Sequence, residues 1–221
     1  SMPGLTLAIG EKDRFEAYMA TAEKALYNFM HKEPMSVDIY EMEQPDTLLW
    51  ATWTIQQYAK YTSRKACYEK YGKLLKDIMA FIWKGLHPNL FLHENGLLYA
   101  NGRDHAITWM NSQDGGRPVV PRSGYIVEFN ALWYNALKFY EQMLEENGKQ
   151  EDEDIKNTIK KDADKLARSF KEVFLNEYGY LLDYVDGQMM DWSVRPNQLF
   201  AIAFDYSPLD MKERKAVLDI C

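Results

Sequence analysis

Residues 126–144, IVEFNALWYNALKFYEQML, place Ile126, Phe129, Trp133, Leu137, Tyr140 and Leu144 three or four positions apart. That spacing is one face of an α-helix, whereas a half-buried strand would alternate every second residue. A long, largely apolar helix is therefore predicted here. Immediately before it, residues 104–125 (DHAITWMNSQDGGRPVVPRSGY) have no period and carry Gly115, Gly116, Pro118, Pro121 and Gly124. A loop this long inside a compact domain usually has a function, and this one is too aromatic to read as disordered.

Working outward, the same helical spacing recurs. Phe15, Met19, Ala22, Leu26 and Phe29 make one run, and a second opens at Asp46, read as an N-cap, with Leu49, Trp53 and Tyr61 on one side. A third spans roughly Lys65 to Lys84 through Leu74, Ile78, Phe81 and Ile82 and stops near Gly85 and Pro88. Beyond the central helix, the charged EENGKQEDED reads as a solvated turn. A further helix runs through Ile155, Ile159, Leu166, Phe170 and Phe174. LHENGLLYANG reads as a short hairpin or an irregular loop, YGYLLDYVDG as a short strand or hairpin, and RPNQLFAIAF as a restarting helix with Pro196 in its first turn. Helices separated alternately by short turns and residue-rich loops predict an all-α array of helical hairpins.

The chain has 221 residues, 47% of them hydrophobic, which suits one sizeable core. A net charge of −7 argues against nucleic acid, since phosphate binding rests on clustered Lys and Arg. No apolar run approaches a membrane span. With two cysteines, Cys67 and Cys221, neither a disulfide framework nor a thiolate metal site is indicated, and a reducing cytoplasm fits best. No cofactor motif appears either.

The chemistry therefore falls to carboxylates, amides and rings. His31, His87, His93 and His105 are scattered, and His105 beside Asp104 reads as a loop hydrogen-bonder. Asp46, Asp183 and Asp191 read as caps or turn residues. Glu128 stands apart: helical spacing puts it with Ala131 and Asn135 on one rim, close in sequence to Trp109, Arg122, Trp133 and Tyr134. Fixed donors and acceptors beside flat rings suit a ligand with hydroxyls and sugar faces. Glycosidic hydrolysis needs one carboxylic acid to protonate the leaving oxygen and a second carboxylate to activate water or attack carbon. Spacing alone does not choose the pair, nor separate hydrolysis from sugar binding.

Several motifs in order resemble the C-terminal glucosidase domain of glycogen debranching enzymes, the amylo-α-1,6-glucosidases. They are Thr108-Trp109-Met110-Asn111, where the family reads T-W-M-D, then Pro121-Arg122-Ser123-Gly124, then the long Val127–Ala136 motif. PGLTLA near the start, PDTLLW at 45–50, GLLYA at 96–100, GYLLDYVDG at 179–187 and RPNQLFAIA at 195–203 extend the resemblance over nearly the whole chain. It implies an (α/α)6 barrel, with residues 1–221 as a single domain that is an incomplete portion of it. It also implies an inverting hydrolase that removes α-1,6-linked glucose from branched glucan. In the family pattern the general acid ends T-W-M-D. Here that position is Asn111, which cannot deliver a proton, and Asp114 and Asp104 are the nearest substitutes. The family's general base is expected beyond Cys221, so the isolated chain is expected to be inactive and flanking segments to be its partners. By the same resemblance Trp109, Trp133 and Tyr134 would hold the sugar, and Arg122, Glu128, Asn130, Arg195 and Asn197 would bind its hydroxyls. The alternative is a glucan-binding or regulatory remnant without chemistry.

Overall fold

The computed structural model describes residues 2–35, 42–149 and 152–221. The long helices lie where the periodicity puts them: α2 (Lys12–His31), α3 (Thr47–Tyr61), α4 (Arg64–Trp83), α5 (Val127–Asn147) and α6 (Glu153–Phe174). The short α1 (Met2–Leu5) precedes them, and α7 (Phe200–Ala203) and α8 (Met211–Ile220) follow. The helix-dominated array is of the (α/α) barrel type.

Helix α5 is the centre of the core. Fifteen of its residues are buried, Glu128, Asn130 and Asn135 among them, so it is covered on all sides instead of along one stripe. It packs against α3, α4, α6 and α7. Helix α6 is its opposite: Ile159, Ala163, Leu166, Phe170 and Phe174 face inward and most of the remaining residues are charged or polar, as an outer helix requires. The inner helices are also tied by polar contacts. Asn135 and Gln56 exchange amide hydrogen bonds between α5 and α3, at 2.7 and 3.2 Å, and Asn135 Oδ1 also accepts from the Tyr206 N–H.

The loops hold more order than isolated hairpins. Strands β1 (Phe91–Leu92), β2 (Leu98–Ala100), β5 (Gly124–Ile126), β6 (Tyr184–Asp186) and β7 (Met189–Met190) join in that order into one antiparallel sheet. A separate hairpin pairs β3 (Gln113–Asp114) with β4 (Arg117–Pro118). Strand β5 runs directly into α5, and Tyr125 pairs with Tyr99 on one side and Val185 on the other. The sheet thus sits on the N-terminal end of the central helix. Ile126, which the helical period included, is the extended residue before α5.

Three sequence readings change. The turn at 145–154 is not simply solvated: Asp152 is buried and accepts from the Tyr68 hydroxyl and the Lys149 N–H, while Gln150 and Glu151 lie outside the described residues. The helix restarting at Pro196 begins as a 3-10 turn, Pro196–Leu199, where Gln198 Oε1 accepts from the Leu181 N–H. Asp46 occupies the N-cap position of α3 but makes no side-chain cap bond, because its carboxylate accepts from the Trp50 indole at 3.1 Å.

His87, beyond the end of α4, is buried against Phe29 and Phe81, and its Nδ1 accepts from the Asn89 N–H at 3.0 Å. Burial pushes its pKa down to about 4. A folded-state pKa below the unfolded one gives stability that is present above the unfolded value and is lost as pH falls toward the folded one. Between pH 7 and pH 4 this group is expected to remove up to about 3 kcal/mol. Urea unfolding across that range should show a shallower acid-side loss for His87→Gln than for the native chain; equal slopes would contradict this reading.

Candidate functional site

At the sheet-covered end the inner elements begin: Asp46 opens α3, Glu128 lies in the first turn of α5, and Arg195 and Asn197 open the 3-10 turn before α7. The side chain that connects them comes from the loop. Arg122 is fully buried and forks onto two carboxylates. Its Nη1 and Nη2 donate to the two oxygens of Glu128, the second at 2.6 Å, while Nε and Nη2 donate to Asp183 at 2.8 and 2.9 Å. Asp183 also accepts from Asn197 at 2.6 Å and from Arg195 at 3.0 Å, and Arg195 donates to Asp191 at 2.6 Å. Asn197 in turn accepts from the Trp109 indole at 2.9 Å. One continuous network runs from α5 through the sheet to the ring of Trp109.

Two glycines make room for it. A Cβ on Gly102 would lie 2.1 Å from the Arg122 carbonyl oxygen, and one on Gly124, whose φ is +94°, would lie 2.2 Å from the Val185 carbonyl oxygen. The segment 122–124 therefore fits its neighbours only with glycine at these positions.

The charges in this network are coupled. Burial works against the Arg122 charge, and the Glu128 and Asp183 carboxylates outweigh it and hold the guanidinium charged. Burial pushes the Glu128 carboxyl upward, with Arg122 opposing the rise. Asp191 is desolvated too, but Ser193 and Arg195 hold it below the usual carboxylate range. Asp46 differs: burial raises it to about 6 against the opposing bond from Trp50, and the Glu128 charge adds to the rise. A carboxyl that holds its proton near neutrality can act as an acid.

The sequence-derived site residues separate into two groups. Trp109 is 54% exposed although its indole N–H is fixed, so its ring is both ordered and open. Asn111 and Asp114 are exposed too, Asp114 on the β3–β4 hairpin whose turn is Gly115-Gly116. Arg195 is half-buried at the edge of the network. The others point inward. Asn130 spends its amide on the Leu98 N–H, the Leu98 carbonyl and the Ile126 carbonyl, fastening β2 to α5. Trp133 is buried edge-to-face on Trp83, and Tyr134 is half-buried. Glu128 and Asn135 do not form an open rim, because both are buried and bonded within the core.

Comparison with known families is decisive on one point. The amylo-alpha-1,6-glucosidase family matches residues 1–221. The chain belongs to that family. No curated protein matches it. The chain is thus a domain of the glycogen-debranching glycosidase type, and the network lies between its Trp109-Asn111 turn, its Arg122 loop and its Arg195-Asn197 turn. Sequence reasoning set aside three residues here, Asp46 as a cap and Asp183 and Asp191 as turn residues. Asp183 lies within GYLLDYVDG, between the apolar pair Leu181-Leu182 and Tyr184-Val185, and Asp46 within PDTLLW; both acids fall inside stretches that carry the family resemblance, which was their signal. Among the described residues, no group of three or more His, Cys, Asp or Glu side chains could hold a metal ion, and no helix is long and apolar enough to cross a membrane.

Removing Arg122 would leave the buried Glu128 carboxylate without its cation and Asp183 with only the half-buried Arg195. Arg122→Met is expected to cost about 3–5 kcal/mol, because breaking a buried pair strands uncompensated charge. Chemical denaturation at pH 7 measures it, and a loss below about 1 kcal/mol would contradict the role given to Arg122.

Proposed function

We propose that this domain forms the glucose-releasing site of a debranching glycosidase, which removes single α-1,6-linked glucose residues from branched glucan with inversion. The observation that supports it most is the open Trp109 ring, pinned to Asn197 and through Asp183 linked to Arg195, at the end where the inner helices begin. A flat ring offers a surface to the sugar's C–H face, and the charged rim offers donors and acceptors to its hydroxyls.

In this reading Asp46 is the acid. Its proton passes to the glycosidic oxygen as the bond from that oxygen to the glucose C1 breaks, and water attacks C1 from the opposite face. The water's proton goes to a second carboxylate. Glu128 and Asp183 are both engaged by Arg122, so neither is free for that task, and the base is assigned to a segment outside residues 1–221. Residues 1–221 are then one incomplete barrel domain that binds glucan without turning it over. Asn111 and Asp114 flank the sugar, while Arg122, Glu128, Asn130, Trp133 and Asn197 hold the site's shape. Free Cys67 and Cys221 suit a cytoplasmic setting.

The test uses a longer natural protein that contains these residues, acting on limit dextrin. Asp46→Asn is expected to lower kcat by about 10²–10⁴-fold and to remove the alkaline limb of the pH profile, whereas Asp114→Asn should change it less than about threefold. The reverse pattern would move the acid to Asp114. No glucose release by the unmodified protein would sink the hydrolase reading. Asn111, where the family pattern has its acid, favours a second reading, a glucan-binding remnant; calorimetric binding of isomaltose without turnover by the longer protein would establish it.

A further inference from the structure

A second aromatic surface lies outside the network. Tyr178 is 71% exposed and Trp192 is 45% exposed, large values for such rings. Their centroids are 6.4 Å apart with planes at 69°, and Tyr180 lies 6.4 Å from Tyr178 and nearly parallel to it, at 19°. Three rings thus form an open corner, two roughly parallel faces meeting a third at a steep angle.

The corner is rigid. Asn176 Oδ1 accepts from the N–H groups of Tyr178 and Tyr180, Asn176 N–H donates to the Tyr180 carbonyl, and Gly179 takes the positive φ of +84° that the turn requires. Leu175 and Leu181 pair across its base. The Tyr180 hydroxyl donates to the Trp192 carbonyl at 3.3 Å, tying the two loops together. Rings held by an ordered scaffold lose little freedom when a ligand arrives.

The corner also adjoins the proposed site. Trp192 follows Asp191, whose carboxylate accepts from Arg195 and whose N–H donates to the Tyr184 carbonyl. A chain lying on these rings would run toward the Arg195 edge.

We propose that Tyr178, Tyr180 and Trp192 form a docking corner for the α-1,4-linked chain that carries the branch. This rests on the glucan-acting reading above. The rings themselves carry no charge, which suits a neutral ligand with apolar C–H faces, and their angled arrangement suits a chain whose successive sugars turn. The protein's net charge of −7 opposes a polyanion.

The test is calorimetry of the whole 221-residue chain with maltoheptaose and, separately, isomaltose. Tyr178→Ala and Trp192→Ala are expected to weaken maltoheptaose at least tenfold and to leave isomaltose affinity within twofold, with Trp192→Phe restoring most of the loss. Both side chains are exposed, and an unchanged thermal midpoint confirms intact folding. If maltoheptaose affinity stays within twofold in both alanine variants while isomaltose still binds, the docking corner is overturned and the site reading stands. If neither sugar binds the native chain, both fall. Self-association of the native chain that Tyr178→Ala abolishes, without maltoheptaose binding, overturns the glucan assignment and gives the surface to a second copy.

Discussion

The buried fork of Arg122 onto Glu128 and Asp183 is the interaction on which this end of the molecule depends. Two carboxylates brought into an apolar interior would repel each other and shed their charge, and neither could then orient a neighbour. A guanidinium with planar, paired donors satisfies both at once. It also joins segments far apart in sequence: the loop at 122, the first turn of α5 and the strand region at 183. Because Asp183 in turn holds Asn197 and Arg195, the position of the Trp109 ring follows from the same fork.

The fold was legible in the sequence to the extent that it rests on period. Helices α2 to α6 appear as spaced apolar residues because each buries one face, and even α5, buried all round, keeps its strongest apolar positions three and four apart. The sheet was less visible. Its strands are two or three residues long, too short for alternation to register, and their pairing is set by which loops meet above α5. That meeting is a tertiary event.

The site was legible in part for a related reason. Residue types around the loop at 104–125 suited a sugar, and the family resemblance added Arg195 and Asn197, but neither told which side chains face the solvent. Asn130 and Trp133 lie on the same helix as Glu128 and look alike as motif residues, yet one clamps a strand and the other fills the core. Asp46 shows the converse. A helix-opening Asp ordinarily caps, and only the position of the Trp50 indole, itself packed against Trp53, Phe200 and Phe204, explains why this one does not.

The central claim is that the Arg122-anchored end of the helical array is where an α-1,6-linked glucose binds. The most direct measurement is NMR titration of the 221-residue chain with isomaltose, following indole N–H and backbone resonances. Shifts centred on the Trp109 indole and on residues 191–197 are predicted. Saturable shifts confined to other surfaces, with the Trp109 indole unmoved, would contradict it.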